Sequence, residues 1–366
     1  MPTTLVSLVS EQTFINIIFI KEMPPADRYI FITTDIMEKK GVADWIIGVC
    51  NINYNIVSKI SVDANSMEQI FERLNEYRLL APEQNYVINL TGGNKIMSIT
   101  VYEFFRNMNV KMYYKPIEHN GYLQCFPLVN SGIVPFNTCL NLKEYLNGYG
   151  IRIANPTRIN HPLMTAEFTK NIFDNQLLDI NHIHQLIKYK QEYERFPNKR
   201  LTSLSLNDPP KEVPGIVGFI KTTLGFPLEN PNRLNEREIF YLIGGWFEEY
   251  IYHFVKQLYH LDNEHIGLNV LIEKNGVPNE LDVVFVKDND LHIIECKLKL
   301  TKLTFESALY KLVTVQRGTA YSLTSKAYIA SSKSYRNRFG EFYKQSNDRA
   351  KLNKVTIIDP LNLDEL

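Results

Sequence analysis

The chain has 366 residues, 45% of them hydrophobic and 22% charged, with 21 Tyr and 20 Phe, which excludes a disordered or fibrous protein and leaves length for two or three domains. Forty Lys and Arg balance forty Asp and Glu, which excludes a histone-like polycation but leaves room for a local basic face. No apolar run reaches membrane-spanning length, the N-terminus MPTTLVSLVSEQTF lacks the marks of a signal peptide, and Cys50, Cys125, Cys139 and Cys296 show no C-x-x-C spacing; no membrane association, reduced thiols and a cytoplasmic location are expected.

Residues 1–135 alternate strand-like and helix-like patterns. TLVSLVS (4–10), RYIFITT (28–34), NIVSKISVD (55–63) and NYVINL (85–90) read as buried strands. Between and after them, EQTFINIIFIKEM, MEKKGVADWIIGV, SMEQIFERLNEYRLL and KIMSITVYEFFRN carry apolar residues at helical spacing. Strands separated by such helices predict an α/β domain with a Rossmann-like parallel sheet. KMYYKP and GYLQCFPLV predict a closing hairpin. Such a sheet binds ligands beyond the carboxyl ends of its strands.

From 136 to 236 the periodicity weakens. NPTRINHP, NKRLTSLSLNDPPKEVPG and GFPLENPNR, rich in Pro and Asn, read as loops around one helix, LLDINHIHQLIKYKQEYERF. This stretch reads as a connector. From 237 to 366 a helix (REIFYLIGGWFEEYIYHFVKQL), a strand meander (IGLNVLIEK, ELDVVFVKD, LHIIECKL), then a further helix and strand predict an α+β domain.

Two constellations carry chemistry. Asp282 opens an apolar strand, and Glu295 and Lys297 share one face of the next, with Cys296 on the other. The intervening KDND turn folds the second strand back, so Asp282 can lie beside Glu295. Paired carboxylates with a Lys suit a divalent-metal phosphodiesterase: hard oxygen donors hold Mg²⁺ or Mn²⁺, and the Lys faces developing phosphate charge. A surface hairpin with a cross-strand ion pair is the alternative, but charge within apolar strands is costly without a role. The second constellation, Asn89-Leu90-Thr91-Gly92-Gly93-Asn94-Lys95, follows a strand and opens a helix. Free N–H groups there favour phosphate, although neither a Walker loop nor G-x-G-x-x-G is present. Residues 297–354 add thirteen Lys and Arg against three acids, interleaved with Tyr328, Tyr335, Phe339, Phe342 and Tyr343. That mixture predicts a nucleic-acid face.

GGWFEE followed by ELD and ECK resembles the PD-(D/E)xK restriction-endonuclease-like nucleases. The resemblance implies a metal site of Glu248, Asp282 and Glu295, with Lys297 completing the catalytic set and Glu249 as the alternative helix carboxylate. ELD stands where the family has P-D, with Pro278 four residues earlier. NLTGGNKIM, with LVSLVSEQTFINIIFIKE and FITTDIME, resembles the CRISPR-associated Rossmann fold (CARF) domains, and the domain order resembles the CARF–nuclease fusions that act as ancillary nucleases of type III CRISPR defence. That resemblance implies activation by a cyclic oligoadenylate, usually cyclic tetra-adenylate, and manganese- or magnesium-dependent cutting of DNA, RNA or both. It places Ser10, Gln12, Thr33, Thr34, Asn89, Thr91, Gly92, Gly93, Asn94 and Lys95 at the ligand. A ring of even size, read by a domain with one ligand face, further predicts a homodimer around a two-fold axis. The alternative function is a ligand-sensing transcriptional regulator with an inactive nuclease fold, which the retained Glu248, Asp282, Glu295 and Lys297 oppose. A repair or restriction nuclease with a mere docking domain is opposed by the NLTGGNK loop.

Overall fold

A computed structural model describes the chain except residues 79–84, 118, 130–131, 157–158, 179–180, 197–198, 214, 320–324, 334–339, 361–362 and 364–365, and the side chains of 78, 181–182, 317–319 and 340–343. The first unit runs β1 (Thr3–Leu8), α1 (Thr13–Glu22), β2 (Arg28–Thr33), α2 (Asp35–Lys40), α3 (Val42–Val49), β3 (Val57–Ser61), α4 (Met67–Arg78), β4 (Asn85–Asn89), α5 (Lys95–Phe105), β5 (Val110–Tyr114), β6 (Gly121–Phe126) and β7 (Ile133–Pro135). Its seven strands lie in the order β3-β2-β1-β4-β5-β6-β7. β1 to β5 are parallel, and β6 and β7 return antiparallel. The order reverses direction at β1 and β4, so the loops that follow those strands diverge and leave a crevice.

The connector adds α6 (Leu142–Gly148), β8 (Arg152–Ile153), α7 (Ala166–Asp174), α8 (Asn181–Tyr193), β9 (Ser203–Ser205), α9 (Ile216–Gly218) and β10 (Arg233–Asn235). The last unit holds α10 (Glu236–Phe240), α11 (Trp246–Leu258), β11 (Ile266–Lys274), β12 (Val277–Lys287), β13 (Asp290–Lys297), α12 (Lys302–Thr319), β14 (Ser325–Ser331), α13 (Gly340–Leu352) and β15 (Val355–Ile358). Its sheet has the order β15-β14-β13-β12-β11-β8. The meander β11-β12-β13 is antiparallel, whereas β13, β14 and β15 are parallel.

Burial explains why the units do not float apart. Ile17 and Ile46 from the helices of the first unit, Leu142 and Leu146 from α6, and Val270 and Leu281 from the second sheet belong to one buried apolar cluster. The start of the connector is therefore the filling between two sheets, not a free linker. α4 and α5 cover the other face of the first sheet, while α7, α8 and α11 cover the far face of the second.

Local departures from the sequence pattern have local causes. The single helix expected over MEKKGVADWIIGV is two, because Gly41 sits at φ +74°, a left-handed stop that ends α2. The long helix expected over 237–258 is interrupted by a wider turn at Tyr241–Gly245. A Cβ on Gly245 would meet the Phe240 ring at 2.8 Å, so the ring packs directly against the glycine. Within the expected loops, β9 pairs antiparallel with β10, and Arg152–Ile153 supplies an edge strand to the second sheet. Strands of two or three residues carry too little period to be seen. Among the described residues no helix is long and apolar enough to cross a membrane.

Candidate active site and ligand cleft

Antiparallel pairing of Val283 with Ile294 continues the ladder so that Asp282 and Glu295 come side by side, as the KDND turn predicted. Asp282 Oδ2 accepts a hydrogen bond from the Cys296 amide at 2.8 Å, which fixes its rotamer. Glu295 Oε1 lies 2.6 Å from Lys297 Nζ. A second lysine completes the cluster: Lys311 Nζ, from α12, stands 3.1 Å from Asp282 Oδ1 and 2.5 Å from Glu295 Oε2. The Glu295 side chain is only 5% exposed, against 29% for that of Lys311. In the sequence Lys311 is one of the thirteen cations of 297–354, with nothing local to single it out. On α12 it flanks the buried apolar stripe of Phe305, Ala308, Leu309 and Leu312.

Glu248 and Glu249 separate cleanly. Glu249 turns away and accepts from the Leu163 and Met164 amides, the latter at 3.1 Å, tying the connector to α11. Glu248 faces the cluster, with Oε2 buried and without a partner among the described residues. Burial, reinforced by Asp282, Glu280 and Glu295, pushes its carboxyl up to about 8. Burial and then Asp282 also raise Glu295. Burial alone would lower Lys311, but Asp282 and Glu295 outweigh it and hold the ammonium above its usual range. Oxygen donors, crowded negative charge and an orphaned carboxylate oxygen are what a hard divalent cation relieves. The residues fit such an ion only after adjustment, because among the described residues no three His, Cys, Asp or Glu side chains are grouped closely enough to hold one as they stand. Lys311 occupies the place between the two carboxylates, and Glu248 Oε2 meets no polar partner among the described residues.

This arrangement has a pH signature. Folded Glu248 keeps its proton up to about pH 8, whereas an unfolded carboxyl ionises near 4.5. The folded state holds the extra proton between those values, so the metal-free protein is expected to lose stability as pH rises from about 5 to 8. Glu249, pushed up to about 7 by burial against its two amide hydrogen bonds, contributes with the same sign. Denaturation curves across this range check it, and Glu248→Gln should flatten the slope.

A cavity of about 670 Å³ opens at the carboxyl ends of the first sheet. Gln12, Thr91, Tyr114 and Lys115 line it, together with Asp288 and Asp290 from the β12–β13 turn. Of the residues expected at a ligand, Gln12 and Thr91 reach it. Thr33 and Asn89 are wholly buried. Asn89 donates to Asn16 Oδ1 at 2.8 Å and accepts from the Thr91 amide at 3.1 Å, so it shapes the loop from beneath. Gly92 and Gly93 are structurally required: a Cβ on Gly92 would lie 1.8 Å from the Leu8 carbonyl oxygen, and Gly93 has φ +69°. Thr34 and Asn94 cap α2 and α5, accepting from Met37 and Met97 amides. Ser10 lies half-buried at the end of β1, and Lys95, exposed, opens α5. Lys115 and the KDND residues Asp288 and Asp290 were missed as cleft residues because Lys115 is remote from that turn in the chain and no local pattern signals that they meet.

The expected nucleic-acid face is partly corrected. Tyr328 is buried and stacks on His292, with its hydroxyl 3.2 Å from His292 Nδ1, so it belongs to the core and is not free to stack on a base. Lys302, Lys344, Lys351 and Lys354 are exposed, and Arg349 pairs with Glu306 at 3.1 Å. Tyr335, Phe339, Arg336 and Arg338, and the side chains of Arg317, Phe342 and Tyr343, lie outside the described residues.

A parallel sheet with a cleft at its strand ends, joined to a mixed sheet bearing converged carboxylates and lysines, is the architecture of a Rossmann-like domain fused to a nuclease fold. Residues 4–145 match the Card1 CARF domain and residues 235–366 the Card1-like endonuclease domain, so the chain is a CARF–endonuclease fusion of the Card1 type. Its fold resembles Can2 from Sulfobacillus thermosulfidooxidans, solved in complex with cyclic tetra-adenylate, with TM-score 0.72 and 22% identity over 97% of this chain and 95% of that one. Protein VC1899 from Vibrio cholerae gives TM-score 0.74 at 20% identity, over 99% and 95% of the two chains. A type III CRISPR defence DNA nuclease activated by cyclic oligoadenylate gives TM-score 0.55 at 14% identity, over 95% of this chain and 52% of that one. No curated protein matches the chain.

Proposed function

We propose that the chain is a divalent-metal-dependent endonuclease of type III CRISPR defence, switched on by a cyclic oligoadenylate, most suitably cyclic tetra-adenylate, and cutting DNA, RNA or both. The observation that carries the reading is the Asp282–Glu295–Lys297–Lys311 cluster with Glu248 facing it, on the same chain as a nucleotide-sized cleft. The ligand named with the Can2 structure supports the choice of ring.

Asp282 and Glu295 would hold Mn²⁺ or Mg²⁺, with Glu248 turning in once it loses its proton. When bound, the ion polarises the phosphate and lowers the pKa of a water. Lys297, steadied by Glu295, faces the negative charge that develops on the scissile phosphate. Lys311 neutralises the carboxylate pair while no ion is present, which keeps two buried like charges tolerable. The exposed lysines of 297–354 hold the nucleic-acid backbone. In the first domain, Gln12, Thr91 and the start of α5 with Lys95 meet the ring, while Asn89 and Thr33 set loop shape. A ring of two-fold symmetry is shared by two copies of the chain.

A matrix of cyclic tri-, tetra- and hexa-adenylate against labelled DNA and RNA, with Mg²⁺ or Mn²⁺, tests this. Cleavage is expected with a ring and a metal together, and calorimetry should give one ring per two chains. Folded protein that cuts nothing in any cell of the matrix would sink the reading. Substrate binding should also weaken steeply with salt, since each backbone contact releases a counterion. A binding constant unchanged between about 50 and 200 mM salt would place those lysines elsewhere.

A further inference from the structure

The cleft at the strand ends of the first sheet is not closed by the first domain alone. One of its walls is the β12–β13 turn, which brings Asp288 and Asp290 opposite Lys115. That turn is held from two sides. Asn289, 1% exposed, accepts from the Leu140 amide at 2.8 Å and donates to the Thr138 carbonyl at 3.0 Å. Those partners lie on the segment that leaves β7, so the turn is tied to the exit from the first domain. Asp290 stands 3.5 Å from Lys326 on β14. Lys115 is half-buried, its ammonium disfavoured by burial and favoured by Asp290. β13 starts at this turn and carries Glu295 and Lys297 five and seven residues on. At about 3.3 Å per residue, the cleft wall and the carboxylate pair are about 17 Å apart on one strand.

An anionic ring meets two opposed forces in this cleft. Lys115 attracts its phosphodiesters, while Asp290, which acts on the same ammonium, and Asp288, which pairs with Lys287 at 3.5 Å, repel them. Lys115 and Asp290 are partly buried, so the force between them is weakly screened, whereas the exposed Asp288 acts more faintly through solvent. A ligand can shift an equilibrium only by contacts that differ between the two states, and a like-charged wall is such a contact. We propose that the nuclease domain completes the sensing pocket: Lys115 takes a ring phosphate, and Asp288 and Asp290 are the acidic wall that the ligand displaces, moving the β12–β13 turn and with it the strand that holds Glu295 and Lys297. This rests on the reading that the cleft takes a cyclic oligoadenylate.

The test uses the full chain with cyclic tetra-adenylate, comparing wild type, Asp288→Asn/Asp290→Asn and Lys115→Gln. Removing the acidic wall is expected to tighten ring binding about tenfold and to raise cleavage in the absence of ring. Lys115→Gln is expected to weaken ring binding about tenfold while its metal affinity, read by calorimetry without substrate, stays at the wild-type value. Ring binding should also alter amide exchange at 287–291 in the wild type. If the wild type binds the ring and is activated, but Lys115→Gln binds as wild type does, or the double Asn variant changes neither affinity nor ring-free cleavage, the proposal fails and the sensing function stands. If the wild type binds no ring at all, both fail.

Discussion

Asp282→Asn and Glu295→Gln are each expected to reduce cleavage about 10³-fold or more, with ring binding unchanged. The substitutions remove charge while keeping shape, so they test chemistry and not packing. In the Asp282→Asn variant the carboxamide would still present an oxygen to the Cys296 amide, preserving the 2.8 Å bond that fixes the Asp282 rotamer. What is lost is the second negative charge opposite Lys311, and with it half of the oxygen pair that would hold a divalent ion. Lys297→Ala should fall less far, by about 10² to 10³, the scale of losing one group that stabilises transition-state charge. Thermal melts separate these losses from unfolding, because removing one partner of a buried ion pair is itself destabilising. Full cleavage by Asp282→Asn or Glu295→Gln in excess metal would overturn the site assignment.

Gly92→Ala should disable the sensing domain. A Cβ there would lie 1.8 Å from the Leu8 carbonyl oxygen and 2.8 Å from its carbon. Both atoms are backbone of β1, so no side chain can swing aside, and the loop or the strand must move. A loss of about 3 to 5 kcal/mol of stability is expected, the scale of severe overpacking. Ring binding should disappear with the displaced Thr91 loop. The control is Gly48→Ala, on the exposed side of α3, where an added Cβ meets nothing within 4 Å. That change should stabilise by up to about 1 kcal/mol, since alanine is the better helix former. If the two variants melt alike, the close approach of the loop to β1 is not a constraint.

Much of the site was legible because its parts are periodic or adjacent. Alternation within NELDVVFV and LHIIECKL placed Glu295 and Lys297 on one face, and the KDND turn set Asp282 beside them. Glycines at 92 and 93 marked a strand-to-helix turn. The choice between Glu248 and Glu249 was not legible: neighbouring helix positions differ by about 100°, and only the Leu163 and Met164 amides show which one is already engaged. The role of Tyr328 was misread because an aromatic among cations looks the same whether it faces solvent or His292.

By itself, the sequence determined two domain classes, the parallel character of the first sheet, and the pairing of Asp282 with Glu295 and Lys297. The domain classes and the parallel sheet follow from the period and alternation of successive elements, and the carboxylate pairing from a short turn between residues near in the chain. Tertiary structure alone decided that Lys311 lies between the carboxylates, that residues 140–153 fill the space between the sheets, and that Asp288 and Asp290 wall a cleft opened by β1 and β4. Each of these joins residues distant in sequence, and their meeting is set by how the two sheets pack against one buried core, which no local pattern encodes.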